Sequence, residues 1–208
     1  MCALFRLVSS MPAFMSDCFR SSKITGMKVE KNLLTLNKFS RPGRNIDSVR
    51  GIVIHWTGNA GSTAIQNRNY FESLKDQTDS RRFASAHYIV DLDGSVIQCI
   101  PENEIAYHAG SVFYSDGIEE RLGGYPNAHA LGIELCHPKA DGVFTKETYD
   151  SAVELTALLL KKYALNPQKD IYRHFDITGK ICPKYFVENA SAWKGFRSDV
   201  EKYLIGIL

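Results

Sequence analysis

Gly51-Ile52-Val53-Ile54-His55-Trp56-Thr57 is the stretch from which the fold is read. Ile52, Val53 and Ile54 form a short β-branched run with no polar interruption, the pattern of a central strand buried on both faces. A strand over residues 49–55 delivers a histidine at its carboxyl end, where ligands bind in open α/β sheets. Taken alone, such a histidine is more often a core residue with both ring nitrogens satisfied.

Working outward, residues 28–49 are polar and basic, and Arg41-Pro42-Gly43-Arg44 marks a turn. Residues 63–75 read as a helix with Ile65, Tyr70, Phe71 and Leu74 on its apolar side. Residues 86–91 and 95–100 read as two strands joined through Asp91-Leu92-Asp93-Gly94, whose Asp-Gly pair is a strong hairpin signal. Residues 130–136 form a further strand. The clearest helix covers residues 145–163, where Tyr149, Ala152, Val153, Thr156, Leu159, Leu160 and Tyr163 recur at steps of three and four and Thr145 suits the N-cap. Residues 191–204 repeat the pattern with Trp193, Phe196, Val200 and Tyr203. The expectation is an α/β fold: a single domain over residues 28–208 with a central mixed β-sheet flanked by helices. Met27 offers a second plausible start, so residues 1–27 read as a poorly ordered N-terminal extension that does not join the fold.

Composition sets the frame. A chain of 208 residues is long enough for one well-buried domain, and 44% hydrophobic with 23% charged residues is ordinary for a soluble globular protein. The net charge of +2 is uneven: residues 1–50 hold nine Lys/Arg against three Asp/Glu, while the remainder holds 16 against 20. A basic arm on an acidic body suits an anionic surface such as a cell-wall polymer, and equally a solvated leader. No nucleic-acid partner is expected. Cys2, Cys18, Cys99, Cys136 and Cys182 are odd in number and scattered, which argues against a disulfide framework and for synthesis in a reducing compartment. No apolar run approaches the ~20 residues of a transmembrane helix. The opening Met1-Cys2-Ala3-Leu4-Phe5-Arg6-Leu7-Val8 lacks the charged start and long apolar stretch of a signal peptide.

A second stretch carries chemistry: Arg173-His174-Phe175-Asp176-Ile177-Thr178-Gly179-Lys180-Ile181-Cys182-Pro183. Its glycine and proline mark it as loop, and a loop lets His174 and Cys182 converge. Imidazole and thiolate bind zinc well; with His55 they fill three of four tetrahedral positions, and an open fourth is what separates a catalytic zinc from a structural one. Each of the three alone has a bland reading, Cys182 as a small buried hydrophobe. Alternation along an extended segment aims Lys180 the same way as Cys182. Metal-assisted hydrolysis further requires a proton acceptor and a donor for the developing oxyanion. Lys180 suits the donor. Glu134, within Ala130-Leu131-Gly132-Ile133-Glu134-Leu135-Cys136, suits the acceptor, because a lone acid in an apolar strand is costly unless partnered. The competing placement is the solvent face of an edge strand, or a pairing with arginine.

Five segments in order carry a family resemblance: Ile52-Val53-Ile54-His55-Trp56-Thr57, Ser85-Ala86-His87-Tyr88-Ile89-Val90-Asp91-Leu92-Asp93-Gly94, Ala106-Tyr107-His108-Ala109-Gly110, Leu131-Gly132-Ile133-Glu134, and His174 through Pro183. Together they make the chain resemble the type-2 N-acetylmuramoyl-L-alanine amidases, the zinc family that includes phage and bacterial wall lysins and the peptidoglycan recognition proteins. The resemblance implies a Zn2+ ion held by His55, His174 and Cys182. The reaction it implies is cleavage of the amide between the muramoyl lactyl group and L-alanine in cell-wall peptidoglycan. It assigns Lys180 to the carbonyl or the tetrahedral intermediate. Many members carry a tyrosine where this chain has Ala86; in a lysin-like branch a glutamate at the position of Glu134 takes that role, so the base is placed on Glu134. His108 and Trp56 are expected at the substrate, Trp56 competing with a plain core role, and His87 is expected to buttress the sheet.

The family implies a protein made in the bacterial cytoplasm that reaches the wall by release or export, as an endolysin or autolysin. No wall-binding module is evident. Two other functions compete. A non-catalytic peptidoglycan-recognition module typically lacks the cysteine that this chain retains. A cysteine hydrolase would use Cys182 as nucleophile and His174 as base.

Overall fold

The computed structural model describes residues 27–78 and 82–207. The extension expected over residues 1–27 therefore lies, Met27 apart, outside the described residues.

The Ile-Val-Ile run forms β2 (Gly51–Trp56), and it is central: it pairs in parallel with β5 (Ala130–Leu135) on one side and β6 (Ile171–Arg173) on the other. The remaining strands are β1 (Val29–Lys31), β3 (Tyr88–Val90) and β4 (Val96–Gln98), and the sheet order is β1-β4-β3-β5-β2-β6. Only β3 and β4 pair antiparallel, through the Asp-Gly turn, where Asp91 N–H donates to the Ser95 carbonyl at 2.8 Å. The sheet is thus mixed, as expected.

Side-chain alternation divides the two faces. Ile52, Ile54, Leu131, Ile133 and Leu135 join the core beneath α3 (Lys146–Tyr163) and α6 (Ala190–Ile207). Val53, His55, Gly132 and Glu134 alternate with them and face the other way. Thr145 caps α3 by accepting from Thr148 N–H at 3.0 Å. Phe186 of the short helix α5 (Lys184–Glu188) is sealed between α6 and the sheet, 5.2 Å from the ring of Phe196.

The first helix departs from expectation. α1 (Ala64–Ser73), continued by a 3-10 turn at Leu74–Asp76, buries Ala64, Asn67, Phe71 and Leu74, while Ile65 and Tyr70 are each 40% exposed. The buried stripe follows helical spacing, but one of its members is polar. Asn67 is tolerated there because its amide donates to Ser62 Oγ and the Thr63 carbonyl, both at 2.8 Å. Apolar periodicity therefore places Phe71 and Leu74 correctly and misplaces Ile65 and Tyr70. β1, β6 and α2 (Ile118–Leu122) also escape the sequence reading, being only three to five residues long.

Phe196 has no solvent exposure and touches three aromatic rings. Phe196→Ala is expected to cost about 3–5 kcal/mol in denaturant unfolding; a loss below about 1 kcal/mol would show that the α3–α6 layer is not the principal core.

Candidate active site

Three elements converge on the face opposite the α3–α6 layer. β2 carries His55 one residue before its carboxyl end, and β5 places Glu134 directly across from it in the parallel register. Beyond β6 the chain turns into α4 (His174–Thr178), where a loop was expected. Asp176 nucleates this helix by accepting from Arg173 N–H at 2.8 Å while its carboxylate pairs with the Arg173 guanidinium. Gly179, at φ +75°, ends it. The extended return through Lys180 is pinned where Phe175 N–H donates to the Cys182 carbonyl at 2.9 Å, which carries Cys182 back beside His174. Ile181 is exposed while Lys180 and Cys182 line the same cavity, as alternation requires.

The result is a compact donor set. One ligating atom from each of His55, His174 and Cys182 lies within 4.8 Å of the other two. His55 Nδ1 stands 3.7 Å from Cys182 Sγ, close to the ~3.6 Å separation that a tetrahedral ion with one Zn–N and one Zn–S bond imposes. His174 Nδ1 is buried and has no hydrogen-bond partner among the described residues. A cation at this point would satisfy it, so the residues fit a metal ion.

Burial sets the protonation states. It lowers His174 to about 3, with Lys180 and His108 adding repulsion, and it takes His55 well below the ordinary imidazole value, helped by His174, His108 and Lys180. Both rings are thus neutral at physiological pH and have lone pairs to offer. Burial also pushes the Cys182 thiol up to about 12. A nucleophilic cysteine needs the opposite shift and access to substrate, whereas Cys182 is 2% exposed. The thiol-nucleophile reading therefore lacks support in the site.

Glu134 lies on the interior strand β5, buried and without an ion pair to arginine among the described residues, so neither of its bland placements holds there. Its Oε2 is sealed from solvent without a partner among the described residues, and burial raises its carboxyl to about 8 against the opposing pull of Lys180. Glu134, Lys180, Thr57 and the three candidate ligands share one cavity of about 740 Å³, whose wall also includes Arg44, Tyr70, Arg82, Phe83, Tyr107 and Tyr125. These last residues carry no signal in the one-dimensional sequence that marks them as cavity wall.

Trp56 also lines the cavity, with its indole stacked on His137 at 4.5 Å. His108, expected at the substrate, has both ring nitrogens engaged inside the protein: Nδ1 lies 3.1 Å from His55 Nε2, and Nε2 lies 3.1 Å from the Ala130 carbonyl. That leaves it no polar atom for a substrate. His87 likewise spends both nitrogens on backbone, at Gly132 N–H and the Glu104 carbonyl, consistent with a buttress. Ala86 is fully buried in apolar surroundings.

The sequence model of the family described as N-acetylmuramoyl-L-alanine amidase matches residues 45–185, and the chain belongs to that family. It is 39% identical over 178 residues to a probable N-acetylmuramoyl-L-alanine amidase of Bacillus licheniformis, an alignment covering 86% of this chain and 48% of that protein. It is 35% identical over 179 residues to N-acetylmuramoyl-L-alanine amidase BlyA of Bacillus subtilis, covering 83% and 47%. The chain spans about half the length of these curated relatives. Among solved structures, the catalytic domain of XlyA superposes with a TM-score of 0.63 at 26% identity, covering 83% of this chain and 99% of that one. PlyL gives a TM-score of 0.65 at 24% identity, covering 84% and 97%, a likeness of fold.

The purified protein is expected to hold one divalent transition-metal ion per chain by elemental analysis, and Cys182→Ala or His55→Ala to hold none. In thermal melts, metal at 100 times its dissociation constant should stabilise the parent by about 2.7 kcal/mol and leave both variants unmoved. Full metal content in His55→Ala would remove His55 from the ligand set.

Proposed function

We propose that the chain is a zinc-dependent N-acetylmuramoyl-L-alanine amidase domain acting on bacterial peptidoglycan, in an endolysin or autolysin that works on the cell wall. The observation that carries this reading is the clustering of the His55, His174 and Cys182 donor atoms on the same cavity as Glu134 and Lys180. The activity in the names of the relatives supports the substrate class. Among the described residues no helix is long and apolar enough to cross a membrane.

Two imidazoles and a thiolate suit zinc, which His55, His174 and Cys182 would hold. Bound there, zinc would supply Lewis-acid polarisation of the scissile carbonyl and of water. The chain's own groups supply the rest. Glu134 in its carboxylate form takes a proton from the attacking water as oxygen bonds to the lactyl carbonyl carbon. The same carboxyl then gives that proton to the alanine nitrogen as the C–N bond breaks, so the stem peptide leaves with a free amine. A carboxyl raised to about 8 visits both states near neutral pH, which lets one residue act as base and then acid. Lys180, on the same cavity, brings positive charge to the oxyanion. Trp56 walls the substrate groove.

Digestion of defined peptidoglycan should release stem peptides with a free amino-terminal alanine, read by mass spectrometry. A strong chelator should stop release and zinc should restore it. Binding without release would favour a recognition module, and turnover that survives chelation would favour a metal-free hydrolase. Glu134→Gln should lower kcat by about 10²–10⁴ while keeping its metal.

The pH profile follows in sign. Lowering the pH protonates Glu134, whose raised value puts the loss of base near neutrality rather than in the ordinary carboxylate range. A bound cation beside it shifts that loss to lower pH. Activity should therefore fall as pH drops, with a one-proton slope that is missing from the residual rate of Glu134→Gln. Full parental activity at pH 4 would contradict Glu134 as the base.

A further inference from the structure

His108 lines the cavity, but both of its ring nitrogens are spent inside the protein, one of them on a candidate ligand. The Ala130 carbonyl can only accept a hydrogen bond, so His108 Nε2, 3.1 Å away, carries a hydrogen. Neither His108 nor His55 has a carboxylate partner among the described residues. With its hydrogen directed to the Ala130 carbonyl through Nε2, His108 presents a lone pair at Nδ1 to the His55 ring. His55 Nε2, 3.1 Å from that lone pair, must then be the donor. The remaining His55 lone pair lies on Nδ1, the atom that faces Cys182 Sγ.

We infer that His108 is a positioning residue: it holds His55 in the Nε2–H tautomer and so aims the Nδ1 lone pair at the metal site. The Ala130 carbonyl of β5 sets the direction of the relay. This rests on the reading of His55 as a metal ligand.

Three local features make the relay rigid. Asn127 Oδ1 accepts from both His108 N–H, at 3.3 Å, and Ala109 N–H, at 2.8 Å, fixing the loop that carries the ring. Gly132 lets the ring lie against β5, since a Cβ there would stand 2.6 Å from His108 Cγ. His87, the neighbouring histidine, is already committed to Gly132 N–H and the Glu104 carbonyl, so it does not compete for His55. Metal-bound histidines usually donate their second nitrogen straight to a carboxylate, carbonyl or water. Here an imidazole is interposed, so a backbone carbonyl one strand away decides which nitrogen of His55 is free. β5 thereby contributes Glu134 and, through Ala130 and Gly132, also sets the ligand opposite it.

The test is long-range ¹H–¹⁵N NMR of the zinc-loaded protein, with zinc affinity measured by chelator competition. The expected spectrum has His55 protonated at Nε2 and His108 protonated at Nε2. His108→Leu, which removes the acceptor, should weaken zinc binding by about 10- to 100-fold. His108→Asn, which returns an acceptor oxygen near the Nδ1 position, should recover most of that loss. The metal-free melting temperatures of the two variants serve as the measure of plain packing damage, which would not separate Asn from Leu in this order. If His108→Leu fails to fold, the spectrum of the unsubstituted protein still decides. His55 protonated at Nδ1, or parental zinc affinity in folded His108→Leu, would overturn the inference and leave the amidase proposal standing. A parent protein that binds no zinc would overturn both.

Discussion

The parallel pairing of β2 with β5 is the constraint from which the site follows. It sets His55 opposite Glu134 and Val53 opposite Gly132, so a candidate ligand, a candidate base and the space for His108 arise from one register. Because strand side chains alternate, a slip of either strand by a single residue would turn its His55 or Glu134 toward α3 and α6 and bring Ile54 or Ile133 to the cavity. The apolar residues on the other face prevent that slip. Ile52, Ile54, Leu131, Ile133 and Leu135 are all fully buried there, and exposing them would cost far more than any rearrangement of the site could return. The core chooses the register, and the register builds the site.

Burial does the chemical tuning. The same apolar enclosure keeps the imidazoles of His55 and His174 neutral, lifts the Glu134 carboxyl and holds the Cys182 thiol protonated before any cation arrives. Such groups are costly to bury without partners. His87 avoids that cost through two bonds to backbone, and His108 through one to backbone and one to His55. Among the described residues six buried side-chain polar atoms lack a partner, and three of them, His174 Nδ1, Glu134 Oε2 and Thr57 Oγ1, belong to residues on the cavity wall. Half of the unsatisfied positions thus lie where an ion, water and substrate would meet.

Much of this was legible in the sequence, and the reasons for the misses are specific. β2, β5, the β3–β4 hairpin, α3 and α6 stand out because each has a long or strongly patterned apolar signal. α4 was hidden by Gly179 and Pro183, although Asp176 at its third position and Gly179 at its end are ordinary helix-boundary signals in hindsight. The buried stripe of α1 is legible at Phe71 and Leu74 but not at Asn67, a polar residue whose burial depends on local partners. His55, His174, Cys182, Glu134 and Lys180 could be named individually from residue chemistry. The partners of His108 could not, since they stand 53 and 22 residues away and depend on which strands become neighbours. The cavity wall from Arg44 to Tyr125 is illegible for the same reason.

The central claim is that two imidazoles and one thiolate from β2, α4 and the return loop form a zinc site. Zinc K-edge X-ray absorption on the purified protein tests it most directly. The account predicts a four-coordinate ion with one sulfur near 2.3 Å and two imidazole nitrogens near 2.0–2.1 Å, the last position taken by a light atom. A coordination sphere without sulfur, or with a single imidazole, would contradict it.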